Sequence, residues 1–122
     1  MERVYIFDTT LRDGGQTKGV DFSFADKIAI SEALDDLGID YIEGGWPGAN
    51  PTDDKLFGSP PKLKVSNFVA FGMTRRPNTS AANDPGLNEV LSGKSDSVCL
   101  VGKTWDFHVN KALNITLKEN IE

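Results

Sequence analysis

Three charged side chains sit where short apolar runs give way to glycine. Arg12 and Asp13 are adjacent in TTLRDGGQ, and Glu43 stands directly before Gly44 and Gly45. A carboxylate at the rim of an apolar wall carries a large desolvation cost unless a cation faces it. For Asp13 that cation is Arg12, a metal ion, or both, and a hard divalent ion with oxygen ligands suits a carboxylate. Arg12, always charged and planar, offers a fork for a substrate carboxylate or for negative charge developing on an enolate oxygen. Glu43 adds a second carboxylate that can orient a hydroxyl, a water or a proton. A structural loop ion pair between Arg12 and Asp13, with Glu43 attached to it, accounts for the same residues, and local sequence leaves both readings open.

The elements that position these groups follow from hydropathy. Val4 to Phe7 (VYIF) is a compact run of β-branched and aromatic residues, expected as a strand buried on both faces. Ser23 followed by Asp26 reads as a capping box. Ile30, Ala33, Leu34 and Leu37 then keep helical spacing, and Gly38 supplies a stop, which predicts a helix over Phe24 to Leu37. IDYIEGG reads as a second strand. A short helix is expected over Thr52 to Phe57, ended by Pro60 and Pro61. Val65 to Met73 is the third strand and leads into the cationic loop TRRPN. A helix starting near Asp84 with Pro85 first, carrying Leu87, Val90 and Leu91, ends at Gly93. DSVCLVG is the fourth strand. From Asp106 onward Phe107, Ala112, Leu113 and Leu117 predict a last helix, weakened by Asn114 and Thr116.

Strict alternation of strand and helix implies a parallel sheet with right-handed crossovers, in an open doubly wound sheet or a barrel. Polar and glycine-rich residues follow every strand: TTLRDGGQ, EGGWPGAN, TRRPN and GKTWDFH. In either architecture ligands bind at the carboxyl ends of parallel strands, so these loops are expected on one face.

Composition narrows the partners. The chain has 122 residues, 39% hydrophobic and 25% charged, ordinary usage for a single domain spanning 1–122. A net charge of -5 without a basic cluster points away from nucleic acid and anionic membranes and toward small molecules. The N-terminus lacks an apolar signal core, and no segment has the apolar length of a membrane span. The expectation is a cytoplasmic protein. Cys99, inside SVCLVG, is expected as a small buried hydrophobe in a reducing compartment. Arg75, Arg76 and Lys103 are expected as solvated loop cations.

DTTLRDGGQ, YIEGGWPGANPTD, AFGMTRRP and VCLVGKTWDFHV together resemble the start of the Claisen-type acyl-CoA condensing enzymes. These form the (R)-citramalate synthase and 2-isopropylmalate synthase family of the DRE-TIM metallolyase superfamily. The LRDG element is common to the superfamily, and the longer strings carry the narrower likeness. The resemblance implies the N-terminal half of a TIM (β/α)8 barrel, an α/β fold with about four parallel β/α units here. It implies condensation of acetyl-CoA with a 2-oxo acid, pyruvate giving citramalate, in branched-chain amino-acid biosynthesis. By the same likeness Asp13 is a ligand of a divalent metal (Mn, Mg or Zn). Arg12 stabilises the acetyl-CoA enolate or polarises the oxo acid carbonyl, Gln16 supports that loop, and Glu43 is an acidic active-site residue. His108 falls where related synthases carry a polar residue near the site. As a lone histidine between Phe107 and Val109 it equally reads as the start of a helix with no chemistry.

The departures are as informative. The family completes its metal shell with a His-x-His pair and an asparagine on later strands, whereas this chain has one histidine. Such a barrel needs eight strands and about 250 residues. A half barrel leaves the edges of its first and fourth strands unpaired, an association hazard. The chain is therefore expected as a fragment, an engineered piece, or a half that pairs with another as a homo-oligomer, and as inactive alone. A carbon-carbon lyase of the HMG-CoA lyase type, or a non-catalytic half barrel binding a carboxylate or a partner, are the alternatives.

Overall fold

The computed structural model describes residues 1–122. Four strands lie side by side in chain order, β1 (Phe7–Asp8), β2 (Tyr41–Gly45), β3 (Asn67–Met73) and β4 (Ser97–Val101), and every neighbouring pair is parallel. A doubly wound sheet reverses its strand order partway. The unbroken order β1-β2-β3-β4 is that of a barrel wall, and four strands make half of an eight-stranded one. The crossovers are α1 (Phe24–Leu37), α2 (Pro51–Gly58) and α3 (Pro85–Ser92). After β4 come α4 (Asp106–His108), a π turn over Val109–Leu113, and α5 (Leu117–Ile121).

Each crossover helix begins on a side-chain cap. Ser23 Oγ accepts from Asp26 N–H at 3.2 Å while Asp26 accepts from Ser23 N–H at 2.9 Å, and Gly38 closes α1 at φ 85°. The Asn50 side chain accepts from Asp53 N–H, and Asp84 accepts from Leu87 N–H, each at 2.9 Å and each with proline next in the chain. Alternate β3 residues split between two faces. Phe68 and Ala70 pack outward with Leu56, Phe57 and Val90 to form the core under the helices, while Phe71 faces inward.

Carboxylates set the strand register. Asp35, near the end of α1, accepts from the N–H groups of Lys64, Val65 and Ser66 at 2.7, 2.9 and 2.8 Å and so fixes the entry to β3. The Lys64 bond foremost, with those from Val65 and Ser66, holds its carboxyl far below the usual range against the opposing effect of burial. Asp40 accepts from Ile6 N–H at 2.9 Å, and Asp96 from Phe68 N–H at 2.8 Å.

Three expectations are corrected. The first strand pairs at Phe7–Asp8, not over Val4 to Phe7, and Val4, Tyr5 and Ile6 are exposed because no second sheet neighbour covers them. The buried stripe of α1 is Lys27, Ser31 and Asp35, while Ala33 is exposed and Leu37 is 75% exposed. The last helix is broken in two: Asn114 adopts a left-handed conformation at φ 54°, and the Thr116 side chain caps α5 by accepting from Glu119 N–H at 3.1 Å.

Candidate active site

The turn after β1 presents two side chains at the strand end. Asp8 accepts from both the N–H and the hydroxyl of Thr10 at 2.9 Å, and Thr9 O receives the N–H groups of Arg12, Asp13 and Gly14 at 3.2, 2.8 and 3.3 Å. Leu11 is buried and anchors the tip. Arg12 folds across the inward face of β3, its guanidinium carbon 3.6 Å from the centroid of the Phe71 ring, and donates to the Asp13 carboxylate. Trp46, just after β2, meets the same ring edge-on at 5.2 Å. Asp13 remains half open to solvent, with 52% of its side chain exposed against 21% for Arg12.

Glu43 lies on the inward face of β2 and is 3% exposed. Burial pushes its carboxyl above the ordinary range. The positive charge of Arg12 opposes that shift, and the negative charge of Asp13 adds to it. Register places Cys99 on β4 opposite Phe71. Cys99 is not the buried apolar residue expected from SVCLVG: it is half-buried, with its thiol against Glu43. Burial, and then the adjacent carboxylate, push that thiol up, so it is not an activated nucleophile.

The two glycines after Glu43 answer a packing demand. The β2–β3 register slips between Glu43 and Gly45, a bulge that re-aims the strand end. A Cβ on Gly44 would collide with the Phe68 ring, and one on Gly45, at φ 154°, would stand 2.6 Å from the Asp53 carboxyl. Beneath this bulge Lys27 Nζ donates to Gly44 O at 2.9 Å and to Asp53 Oδ1 at 2.5 Å. Asp53 Oδ2 accepts from Trp46 N–H at 2.9 Å and from the Asn50 side chain at 3.0 Å.

Arg12, Asp13 and Glu43 are thus gathered at one strand-end rim. Gln16 is exposed and shares with Arg12 a cavity of about 210 Å³ that Lys27, Trp46, Asn50 and Asp53 also line. His108 is not brought there. It is exposed, its ring edge-on to Trp105 at 4.6 Å, and it shares neither a hydrogen bond nor that cavity with Arg12. Arg75 is not a solvated cation: it donates to Glu119 at 2.8 Å and ties α5 to the end of β3. Arg76 is exposed, as expected. Lys27, Trp46, Asp53 and Phe71 escaped the sequence reading as site residues. Trp46 and Asp53 lie within WPGANPTD, whereas a lysine inside a helix gives no signal, because such residues normally face solvent.

The donor set does not compose a metal centre. Asp13 and Glu43 are the carboxylates at the rim, and no group of three or more His, Cys, Asp or Glu residues is arranged to hold an ion. The rim can bind a carboxylate on Arg12, expose one oxygen donor in Asp13, and present the buried Glu43 carboxyl, whose charged form burial disfavours.

Consecutive parallel β/α units with a charged rim at the strand ends define half of a TIM-barrel enzyme scaffold. A family profile described as HMGL-like matches residues 3–122, and the chain belongs to that family. The chain is 52% identical over 122 residues to the (R)-citramalate synthase of Aquifex aeolicus, covering 98% of this chain and 23% of that protein. It is 47% identical to the (R)-citramalate synthase of Geobacter sulfurreducens, covering 100% of this chain and 24% of that protein. It is 36% identical to a 2-isopropylmalate synthase of Bradyrhizobium diazoefficiens, over 99% of this chain and 23% of that protein. The chain therefore spans about a quarter of the length of these relatives.

Proposed function

We propose that this chain forms the first four units of an acyltransferase that condenses acetyl-CoA with a 2-oxo acid, with pyruvate as the acid and citramalate as the product. The observation that carries the reading is the Arg12 guanidinium held over Phe71 at 3.6 Å and paired with Asp13 at the strand-end rim. The choice of pyruvate rests on the names of the relatives: two (R)-citramalate synthases at 52% and 47% identity, against a 2-isopropylmalate synthase at 36%. These names also favour synthesis over the lyase direction.

In this reading the acetyl methyl group loses a proton, its carbon attacks the keto carbon of pyruvate, and the keto oxygen takes up a proton. Water then cleaves the thioester and releases CoA. Arg12 receives the oxo acid carboxylate or the negative charge developing on oxygen. Glu43, held toward its protonated form by burial, supplies or orients a proton at the same rim. Gln16 borders the cavity beside Arg12. We assign His108 no role. A divalent ion provides Lewis-acid polarisation in sites of this kind. Asp13 is proposed as the ligand that this chain would contribute to it. The reaction belongs to branched-chain amino-acid biosynthesis in the cytoplasm.

The absence of any three-donor group favours a second reading for the chain by itself, binding of a carboxylate without turnover. Thiol release from acetyl-CoA separates the two. Release that requires pyruvate and is lost in Arg12→Gln establishes the synthase. Saturable pyruvate binding without thiol release establishes the binding-only reading for the chain by itself, and no pyruvate binding by a folded chain contradicts the role given to Arg12 in both readings.

A further inference from the structure

We infer that the buried Lys27–Asp53 pair is a positioning device that sets Arg12 and Glu43 in place through the Gly44–Gly45–Trp46 backbone. The inference rests on the reading of those two residues as the reactive rim. The pair joins two crossover helices beneath the site, with side chains 8% and 7% exposed. Replacing a buried ion pair by apolar residues of similar volume is often neutral or stabilising, so folding alone gives weak reason to place these charges here. Their bonds instead converge on a segment with little stiffness of its own. A bulge and two glycines leave the end of β2 free to choose among conformations.

Lys27 Nζ fixes Gly44 O, the carbonyl next to Glu43, and Asp53 fixes Trp46 N–H. The missing Cβ of Gly45 gives the Asp53 carboxyl room to approach, since a methyl there would lie 2.6 Å from it. Trp46, held by its backbone, presses its ring on Phe71 at 5.2 Å, and the same Phe71 ring carries Arg12 at 3.6 Å. Lys27 and Asp53 border the cavity beside Arg12, and their bonds reach Arg12 and Glu43 only through the Gly44–Trp46 backbone and the Trp46 and Phe71 rings. They are positioning residues.

The test reads geometry rather than turnover, so its failure and a failure of carboxylate binding are distinguishable. Arg12 lies over an aromatic face, so its side-chain NMR resonances are expected to show an upfield ring-current displacement. In the double variant K27M/D53L, which removes both charges and the acceptor for Trp46 N–H, that displacement is lost while circular dichroism stays native. In K27M/D53N, where an amide oxygen again accepts from Trp46 but Gly44 O stays unheld, it returns only in part. A folded K27M/D53L with an unchanged Arg12 displacement overturns the inference. If K27M/D53L does not fold, hydrogen exchange of the unmodified chain decides. Trp46 N–H exchanging as slowly as the β2–β3 ladder amides supports the device, and exchange at the rate of exposed loop amides overturns it.

Discussion

Arg12 and Glu43 face opposite demands at the same rim. The guanidinium is held by an aromatic ring and a carboxylate, whereas the Glu43 carboxyl is buried where its charged form is disfavoured. Because the folded state raises the Glu43 pKa above its unfolded value, ionisation at neutral pH opposes folding. Glu43→Gln is therefore expected to raise the thermal midpoint at pH 7 while impairing the chemistry, a separation that paired melting and activity measurements would reveal. Phe71→Leu tests the stack. A cation-π contact is worth about 0.5–2 kcal/mol, so the variant is expected to weaken carboxylate binding to Arg12 by about 2- to 30-fold, read by titration. Unchanged affinity would show that the ring does not hold the guanidinium.

Among the elements, the tie between α1 and the start of β3 is the most exposed to pH. Asp35 accepts three backbone N–H groups, and its folded pKa is depressed. A depressed carboxyl contributes stability that is complete above its unfolded pKa, about 4, and is lost as pH falls through the folded value. Asp35→Asn is accordingly expected to melt lower than the unmodified chain at pH 7, with the gap closing as pH drops below about 4. A gap that stays constant to low pH would contradict this. The bounds of α1 were legible in sequence because Ser23, Asp26 and Gly38 mark them by local backbone chemistry. Its buried stripe was not. Hydropathy points to Ile30, Ala33, Leu34 and Leu37, but tertiary pairing draws Lys27, Ser31 and Asp35 inward instead. Likewise Asn114 looked like a weak point in one helix and is the break between two, since its left-handed backbone cannot continue the turn.

For the whole molecule, strand order and the strand-end rim could be read from alternation and loop composition, because both follow from how parallel strands connect. The Lys27–Asp53 bridge depends on contacts distant in sequence and leaves no such trace. Both outer strands present an unpaired edge, and Val98, Leu100 and Val101 on β4 are 39% to 50% exposed. Unpaired apolar edges favour association. The sedimentation coefficient is expected to rise with concentration, and Leu100→Lys to suppress the rise. A single monomeric species across the concentration range would show that the edge is protected.

The central claim is that Arg12 at this rim receives a 2-oxo acid, and calorimetric titration of pyruvate in the presence of Mn²⁺ tests it most directly, with Arg12→Gln and Asp13→Asn in parallel. Saturable binding is expected for the unmodified chain, lost in Arg12→Gln and weakened in Asp13→Asn. Equal binding by a folded Arg12→Gln chain, or none by the folded unmodified chain, would contradict it.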